Sequence, residues 1–419
     1  MIAVESIRRA ALWTLLAVSA FVAIEPSPYE FLFAVVVIVF ACGGFRFDRA
    51  MIPMILTISV FIAGGFVALA PYVDDRRGVT FTFISGYIAL TMIAFAAMVA
   101  DQPESRLATI RSGYVFSASV AAWLGIAGYF NVAGLSPWLT LYDGTRAAGP
   151  FKDPNVFGPY LVPPMVWLAQ DVLLAREGLV RSSLKLAPLM MAVVLSFSRG
   201  AWIDVIGSLG MLVALTFLTS GRAAERRRIV GLGIWAIALM AALVAVALMI
   251  PQVRDMLLSR ASLEQDYDSG VEGRFGNQVR AIPLLLERPL GFGPLRFSEI
   301  FPQDPHETFL SAFASFGWVG GLAFAAFTAA TIYVGWRIAF KRSPLQPQAI
   351  AIWSACFPQI LQGVQIDTGH WRHLFLLCGC IFGLAAAERM RGAAQARWNA
   401  SRTPIATLGG TTSAPPLSS

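Results

Sequence analysis

One connection between apolar stretches of the sequence is rich in arginine, and a second, short connection contains one more. Arg199 lies in the short connection 196–202, and six more lie between Pro251 and Pro305, namely Arg254, Arg260, Arg274, Arg280, Arg288 and Arg296. A guanidinium is always charged and binds phosphate oxygens through paired hydrogen bonds. A single one of these side chains could simply reach lipid phosphates or pair with an acid such as Asp204, Asp266 or Asp268. As a group they indicate a site for a phosphorylated ligand.

A histidine and a carboxylate follow this arginine-rich segment. His306 and Glu307 stand where the chain returns to an apolar stretch. Imidazole has an ordinary pKa of about 6.5, which suits a general base near neutral pH. Glu307 could instead be the base, with His306 acting on phosphate. The pair is not a zinc motif, because the second histidine of His-Glu-x-x-His would fall at Leu310. His306 could also be an interfacial polar residue, and we interpret His370 and His373 as structural.

The composition indicates which kind of element must position these groups. Hydrophobic residues make up 57% of the 419 residues and charged residues only 14%, whereas soluble domains are roughly 25% charged. The sequence therefore predicts an all-α polytopic membrane protein. Twelve apolar stretches approach the roughly 20 residues that cross a bilayer, and they begin near Ala10, Phe31, Ala50, Thr80, Tyr114, Val156, Leu186, Ala201, Ile229, Thr308, Ala349 and His373.

Lys and Arg concentrate in alternate connections between these stretches, as they do in the cytoplasmic loops of membrane proteins. This pattern predicts that both termini are cytoplasmic and that segment 251–305 lies on the outer face. The net charge of +7 is then an orientation signal, so membrane lipid rather than nucleic acid is the expected partner. Residues 1–388 are predicted to form the polytopic transmembrane domain, and the small, polar residues 389–419 a disordered cytoplasmic tail.

The long outer connection 251–305 should contain structure of its own, since connections of this length are uncommon without a purpose. Between residues 271 and 288 the helical spacing of apolar residues predicts a short amphipathic helix on the membrane surface. Its apolar stripe consists of Phe275, Val279, Ile282, Leu285 and Leu286. Pro289 and the sequence Gly-Phe-Gly-Pro at 291–294 end the helix. Such a helix could cap the arginine-rich site.

Four short motifs follow one another within roughly residues 140–340. They are Phe-Lys-Asp-Pro-Asn-Val-Phe-Gly at 151–158, Ser-Arg-Gly-Ala-Trp at 198–202, Gly273-Arg274 with Pro-Leu-Gly-Phe-Gly at 289–293, and His306 with Gly-Trp-Val-Gly at 317–320. This ordered set resembles the O-antigen ligase and O-antigen polymerase superfamily of membrane glycosyltransferases. The ligase signature is a His, then Asn, Ser or Gln, nine residues and Gly-x-x-Gly. This chain keeps the spacing but has Glu307 at the second position.

The resemblance implies a GT-C-like fold in the bacterial inner (cytoplasmic) membrane with a periplasmic active site. It implies inverting transfer or polymerisation of glycan from an undecaprenyl-diphosphate-linked donor. The acceptor would be lipid A core or a growing glycan, in lipopolysaccharide or exopolysaccharide biosynthesis of the cell envelope. Arg199, Arg274 and His306 match residues that the family requires, Glu307 is the alternative base, and Arg199, Arg274 and Arg280 would bind the diphosphate. Neither a metal nor another cofactor is expected, and ligase and polymerase both stay open.

The main alternative is a multi-pass transporter or flippase of lipid-linked saccharides. Such a protein is expected to hold ionisable residues at mid-membrane and often repeats its broken helices in two matching halves. In this sequence only Asp171 and Asp204 fall inside apolar stretches, each toward an end, and the two halves show no correspondence. The sequence therefore favours the enzyme.

Overall fold

The computed structural model describes residues 2–141, 144–261 and 273–402, and most of them are helical. The first helices are α1 (Ile2–Ala17), α2 (Pro28–Ala41), α3 (Ile52–Leu69), α4 (Arg76–Asp101), α5 (Pro103–Tyr129), α6 (Ser136–Leu139), α7 (Pro154–Tyr160) and α8 (Val162–Leu173). They are followed by α9 (Leu179–Leu195), α10 (Arg199–Thr219), α11 (Ala223–Leu248), α12 (Pro251–Ala261), α13 (Arg274–Leu286), α14 (Thr308–Phe340), α15 (Gln346–Gln362) and α16 (Arg372–Arg402). Two short antiparallel strands, β1 (Thr140–Leu141) and β2 (Arg146–Ala147), place Thr140 opposite Ala147.

Six helical segments of the described chain are long and apolar enough to cross a membrane, so the protein is a mostly helical membrane protein. They are Arg49–Tyr72, Arg76–Asp101, Arg199–Thr219, Ala223–Val246, Thr308–Phe340 and Arg372–Asn399. Each of the twelve predicted stretches coincides with a helix, the sixth with the pair α7 and α8. Several of the others are short or contain an internal proline, such as Pro188 in α9 and Pro358 in α15. A twelve-span topology therefore stays a prediction.

Ion pairs join several helix ends at one end of the molecule, which we call the basic end. They link Glu5 with Arg106, Arg46 with Asp101 at 2.8 Å, Asp48 with Arg389 at 2.6 Å, Glu104 with Arg391 at 2.6 Å and Lys341 with Glu388 at 2.8 Å. The connections 130–153, 249–307 and 363–371 lie at the opposite ends of these helices, and we call that side the loop end. The alternation of helix directions agrees with the alternation of charge in the sequence.

The prediction of a disordered tail from residue 389 is wrong for residues 389–402. These residues continue α16 as far as Arg402. Arg389 and Arg391 at the start of this stretch form ion pairs with Asp48 and Glu104, and the Ala, Gln and Arg residues that follow are favourable in helices. Residues 403–419 of the predicted tail lie outside the described part of the chain.

Small residues let the long helices approach one another closely. A Cβ atom at Gly64 of α3 would lie 2.7 Å from the backbone nitrogen of Gly320 in α14. A Cβ atom at Gly379 of α16 would lie 2.5 Å from the carbonyl oxygen of Met92 in α4. Close approach at small residues is a common way to pack helices in membranes, where apolar burial alone does not favour association. The pairs α3–α14 and α4–α16 frame the loop end.

The amphipathic helix predicted within 271–288 corresponds to α13, and residues 271 and 272 lie outside the described part. Ala281 and Leu285 pack in a small cluster with Phe292, Phe297 and Phe301. The predicted apolar stripe faces away from the protein for the most part, since Phe275, Val279, Ile282 and Leu286 are at least half exposed. This exposure suits a helix whose outer side contacts lipid.

Candidate functional site

A cavity of about 400 Å³ lies near the loop end, between α1–α5, α7, α14 and α16. We call it the loop-end cavity. Aromatic rings form much of its wall, and hydroxyl groups and ionisable side chains interrupt them. The ionisable members other than tyrosine are Glu25, Lys152, Asp153, Asp367, His370, Arg372 and His373. A concave wall of this size that mixes apolar and polar groups is typical of a small-molecule site.

Glu307 is the N-cap of α14. Its carboxylate accepts the N–H of Phe309 at 2.9 Å and also the N–H of Leu310. The ligase signature has Asn, Ser or Gln at this position, and Asn and Ser are favoured N-caps because they accept the same backbone groups. The glutamate of this chain therefore keeps the capping role of the position.

The end of α15 holds the first residue of α14. The Thr308 N–H donates to the Gly363 carbonyl at 2.8 Å, and the Thr308 hydroxyl contacts the Ile366 carbonyl at 3.1 Å. The Thr368 N–H donates to the Thr308 hydroxyl at 2.9 Å. α14 thus starts where α15 ends, and Thr308 also lines the loop-end cavity.

The helix α10 begins at the same place. A Cβ atom at Gly200 would lie 2.2 Å from Nε2 of Gln362, the last residue of α15, so the backbone of α10 and the Gln362 side chain are in close contact. We call the group formed by Gly200, Gln362, Gly363 and Thr308 the α15 junction.

Three of the residues predicted from the sequence adjoin this junction. Arg199 precedes Gly200, and His306 and Glu307 precede Thr308. Arg199 is half-buried, whereas His306 is exposed and has a backbone φ of +47°. Such a φ is uncommon for a side-chain-bearing residue and persists only where the surroundings hold it. The structure therefore brings together residues that are more than a hundred positions apart in the sequence.

The conformation before α10 depends on Arg146, which the sequence analysis missed. Arg146 is 5% exposed, and its guanidinium donates to the Ser196 carbonyl and to Oδ1 of Asn155, both at 2.9 Å. Nearby, a Cβ atom at Gly158 would lie 2.5 Å from that of Ala201. A buried guanidinium is costly without such partners. Arg146 thus joins the motif at 151–158 to the turn before Arg199. Its only signal in the sequence is its place in the connection 130–153.

The glycines of the third and fourth motifs meet at a break in α14. Gly317 has φ +67° and ψ −173°, a conformation essentially restricted to glycine. The Trp318 N–H, which in a regular helix would donate to Ala314, donates instead to the Pro289 carbonyl at 2.9 Å. The freed Ala314 carbonyl accepts the Phe292 N–H at 2.7 Å. Segment 289–293 is therefore docked into α14 by an exchange of backbone hydrogen bonds.

The helix α13 reaches the segment before His306. Nε2 of Gln278 donates to the Pro305 carbonyl at 2.6 Å. Arg280 donates to Oδ1 of Asn277 at 2.6 Å, and its guanidinium lies 5.5 Å from the centre of the Phe301 ring. Arg274 is the first residue of the same helix, and its side chain lies outside the described part. α13 therefore places Arg280 beside the chain that leads into the α15 junction.

The ionisable groups near the loop end have contrasting environments. Burial raises the pKa of Glu307, while its hydrogen bonds from Leu310 and Phe309 oppose that rise. Burial lowers the pKa of His370, which bonds the Ser85 hydroxyl at 2.8 Å. Within the described ranges no three His, Cys, Asp or Glu side chains are grouped so as to hold a metal ion.

Residues 186–325 match the protein family described as O-antigen ligase. The similarity to this family covers that segment of the chain. It runs from α9 into α14 and contains Arg199, the helix α13, and the chain from His306 to Gly320. The resemblance inferred from the motifs is therefore confirmed. A comparison with curated proteins finds no match to the chain.

The O-antigen ligase segment and the loop-end cavity overlap only in part. Of the cavity wall, only Thr308, Ser311, Ala312, Phe316 and Phe324 fall within residues 186–325. The predicted residues Arg199, Arg280, His306 and Glu307 adjoin the α15 junction or α13 and do not line the cavity. The sequence motifs contain the predicted residues of the first region but only part of the second, since Phe151, Lys152, Asp153 and Val156 line the cavity and most of its wall comes from segments outside the four motifs.

Proposed function

We propose that this protein is a membrane glycosyltransferase that transfers or polymerises glycan from a polyprenyl-diphosphate-linked donor on the periplasmic face. The observation that carries the proposal is that Arg199, His306 and Glu307 adjoin the α15 junction and lie within residues 186–325, which match the O-antigen ligase family. With twelve spans and both termini cytoplasmic in the bacterial inner membrane, the loop end is periplasmic.

The reaction is a single displacement at the anomeric carbon of the donor sugar. An acceptor hydroxyl attacks that carbon, and the bond from the carbon to the diphosphate oxygen breaks with inversion. The hydroxyl proton passes to a base, and the electron pair of the broken bond leaves with the diphosphate. The protein must therefore stabilise charge on the leaving group and accept one proton.

Arg199 and Arg274 stabilise the departing diphosphate, and Arg280 contributes to its binding. Guanidinium groups that are already oriented gain more in the transition state than mobile ones, because they need no reorganisation as charge develops. Arg280 is held by Asn277 and Phe301 in the described structure, which supports such a role. In this proposal the positive charge of the arginines stabilises the leaving diphosphate without a metal ion.

His306 is the proposed base. Both carboxylate oxygens of Glu307 already accept backbone N–H groups of α14, so this side chain is engaged in capping. His306 is exposed at the same junction and is accessible to an acceptor hydroxyl. The structure thus favours His306 over Glu307, the two bases that the sequence left open.

The proposal is tested by complementing a deletion strain and analysing its glycans. We expect wild-type protein to restore polymer, and Arg199→Ala, Arg274→Ala and His306→Ala each to fail although they accumulate in the membrane. Arg254→Ala is the matched control, since this arginine is exposed and pairs with its neighbour Asp255 at 3.2 Å. Full activity of all three variants contradicts the proposal, as does movement of lipid-linked sugar without a new glycosidic bond.

The same strain distinguishes the two acceptor classes. Long polymer stranded on carrier lipid indicates a lost ligase, whereas single repeat units on carrier lipid indicate a lost polymerase. With purified protein, a chelator should leave transfer intact because the arginines supply the positive charge. Strong inhibition by the chelator contradicts the arginine-based scheme.

A further inference from the structure

The loop-end cavity has cations whose charge is already balanced. Lys152 forms an ion pair with Glu25 at 2.9 Å. Arg372 forms an ion pair with Glu30 and donates to the Ser27 hydroxyl at 3.1 Å. Neither cation is therefore a ready partner for a phosphate group.

Two carboxylates of the same wall have no cationic partner among the side chains that the structure describes. Asp153 accepts the Asn155 N–H at 2.8 Å, and Asp367 accepts the Gly369 N–H at 2.8 Å. Asp367 is exposed, so its charge lies at the mouth of the cavity. The wall as a whole has an excess of negative charge.

The rest of the wall offers hydroxyls and flat apolar faces. The Ser85 hydroxyl and His370 are 2.8 Å apart, and the Phe81 ring lies 4.5 Å from the His370 ring. Deeper in the cavity, the hydroxyls of Ser19 and Tyr160 are 2.7 Å apart. Hydroxyls both donate and accept hydrogen bonds. A sugar ring matches such a wall, because hydroxyls surround its edge and C–H groups cover its faces.

We propose that the loop-end cavity binds a non-acidic sugar of the glycan substrate and disfavours uronic acids and phosphate. This inference rests on the proposed function and deepens it, since it separates the sugar from the diphosphate. The diphosphate lies outside the cavity with Arg199 and α13, and Thr308 connects the two regions because it belongs to both. Most of the wall lies outside residues 186–325, the segment that matches the family.

The test uses the full-length protein in phosphatidylcholine nanodiscs and saturation-transfer NMR, which detects weak ligands. The probes are three disaccharides of similar size: diacetylchitobiose, which is uncharged; chitobiose at slightly acidic pH, which is cationic; and digalacturonate, which is anionic. We expect the uncharged and cationic probes to bind, and digalacturonate to bind about tenfold more weakly because like charges repel. High salt should narrow this gap, since exposed charges are screened.

Three variants locate the binding. The double variant Asp153→Asn with Asp367→Asn keeps shape and capping but removes the charge, so it should lose most of the discrimination against digalacturonate. Ser311→Phe places a ring in the cavity wall and should abolish binding of all three probes. Ser112→Phe is the matched control, because Ser112 lines a different cavity near the basic end and should leave binding unchanged.

Several outcomes overturn the inference. These are equal binding of digalacturonate and diacetylchitobiose, no binding of any probe at millimolar concentration, or binding that Ser311→Phe does not affect. The glycan phenotype of the deletion strain is independent of these results. If the probes bind selectively but deletion leaves cellular glycans unchanged, the proposed function alone is refuted. If transfer is normal but the probes bind without selectivity, the sugar site alone is refuted.

Discussion

The α15 junction and the loop-end cavity share Thr308 but are held by different kinds of contact. At the junction, backbone groups and glycines meet, as in the Thr308–Gly363 hydrogen bond of 2.8 Å and the approach of Gly200 to Gln362. In the cavity, side chains from distant segments pair with each other, as in the Lys152–Glu25 ion pair of 2.9 Å.

This difference predicts how each region responds to mutation. Backbone hydrogen bonds such as that from Thr308 to Gly363 do not depend on side-chain identity, so the junction can hold its geometry while neighbouring side chains vary. Side-chain contacts can be exchanged one at a time, so the cavity can change its ligand without loss of the fold. We therefore expect substitutions at the junction to abolish transfer and substitutions in the cavity to change which sugar binds.

The largest effect is expected from Arg199→Ala. Loss of an oriented donor to the leaving group should reduce transfer by about 10²–10³-fold. Sugar binding in the cavity should be unchanged, since Arg199 does not line it. The measurement is initial rate of transfer by purified protein together with saturation-transfer NMR of diacetylchitobiose. Loss of both properties in a folded variant would show that the two regions form one site.

A large effect on stability is expected from Gly317→Ala. At φ +67° and ψ −173° a Cβ atom is strained and would lie 2.7 Å from the Pro289 carbonyl oxygen. The strain alone costs about 1–3 kcal/mol, so the thermal unfolding midpoint should fall and segment 289–293 should detach from α14. Gly86→Ala in α4 is the control, because its nearest contact would be an ordinary 3.7 Å. Equal midpoints for the two variants would contradict the role of the α14 break.

A smaller effect on activity is expected from Arg146→Lys. Lysine keeps the positive charge but lacks the planar guanidinium that donates to both the Ser196 carbonyl and Asn155. Because Arg146 acts through the position of Arg199, kcat should fall on the order of tenfold while binding of diacetylchitobiose stays the same. A rate equal to wild type would show that the 198–202 turn holds its conformation without this residue.

The smallest effect is expected from Glu307→Gln, and it depends on pH. Burial raises the pKa of Glu307, so the folded state favours the protonated acid. This preference stabilises the folded state at low pH. The stabilisation is lost as the pH rises through the raised pKa of Glu307. Glutamine still accepts backbone N–H groups and does not titrate. The unfolding midpoint of the variant minus that of wild type should therefore increase with pH, with transfer retained.

A difference that stays constant with pH would contradict the burial of an ionised Glu307. Loss of transfer in Glu307→Gln would instead identify Glu307 as the base and remove His306 from that role. Glu307 would then both cap α14 and act as the base at the α15 junction.

The sequence by itself determined what depends on neighbours along the chain. The lengths of the apolar stretches predicted where helices lie, and Pro289 and the glycines after it correctly ended α13. The spacing of arginines and the His306-Glu307 pair selected residues that the structure brings to one junction. These signals are local, because helix formation, turns and membrane orientation follow from nearby residue types.

Only the tertiary structure decided the features that depend on distant partners. The helix continues through residues 389–402, and Asp48 and Glu104 pair with arginines at the start of this stretch. The break at Gly317 is satisfied by Pro289 and Phe292, and the burial of Arg146 by Ser196 and Asn155. The loop-end cavity needs eight helices at once. Each of these features rests on hydrogen bonds or charges between residues that are far apart in sequence. Neither helical periodicity nor a short motif predicts such contacts.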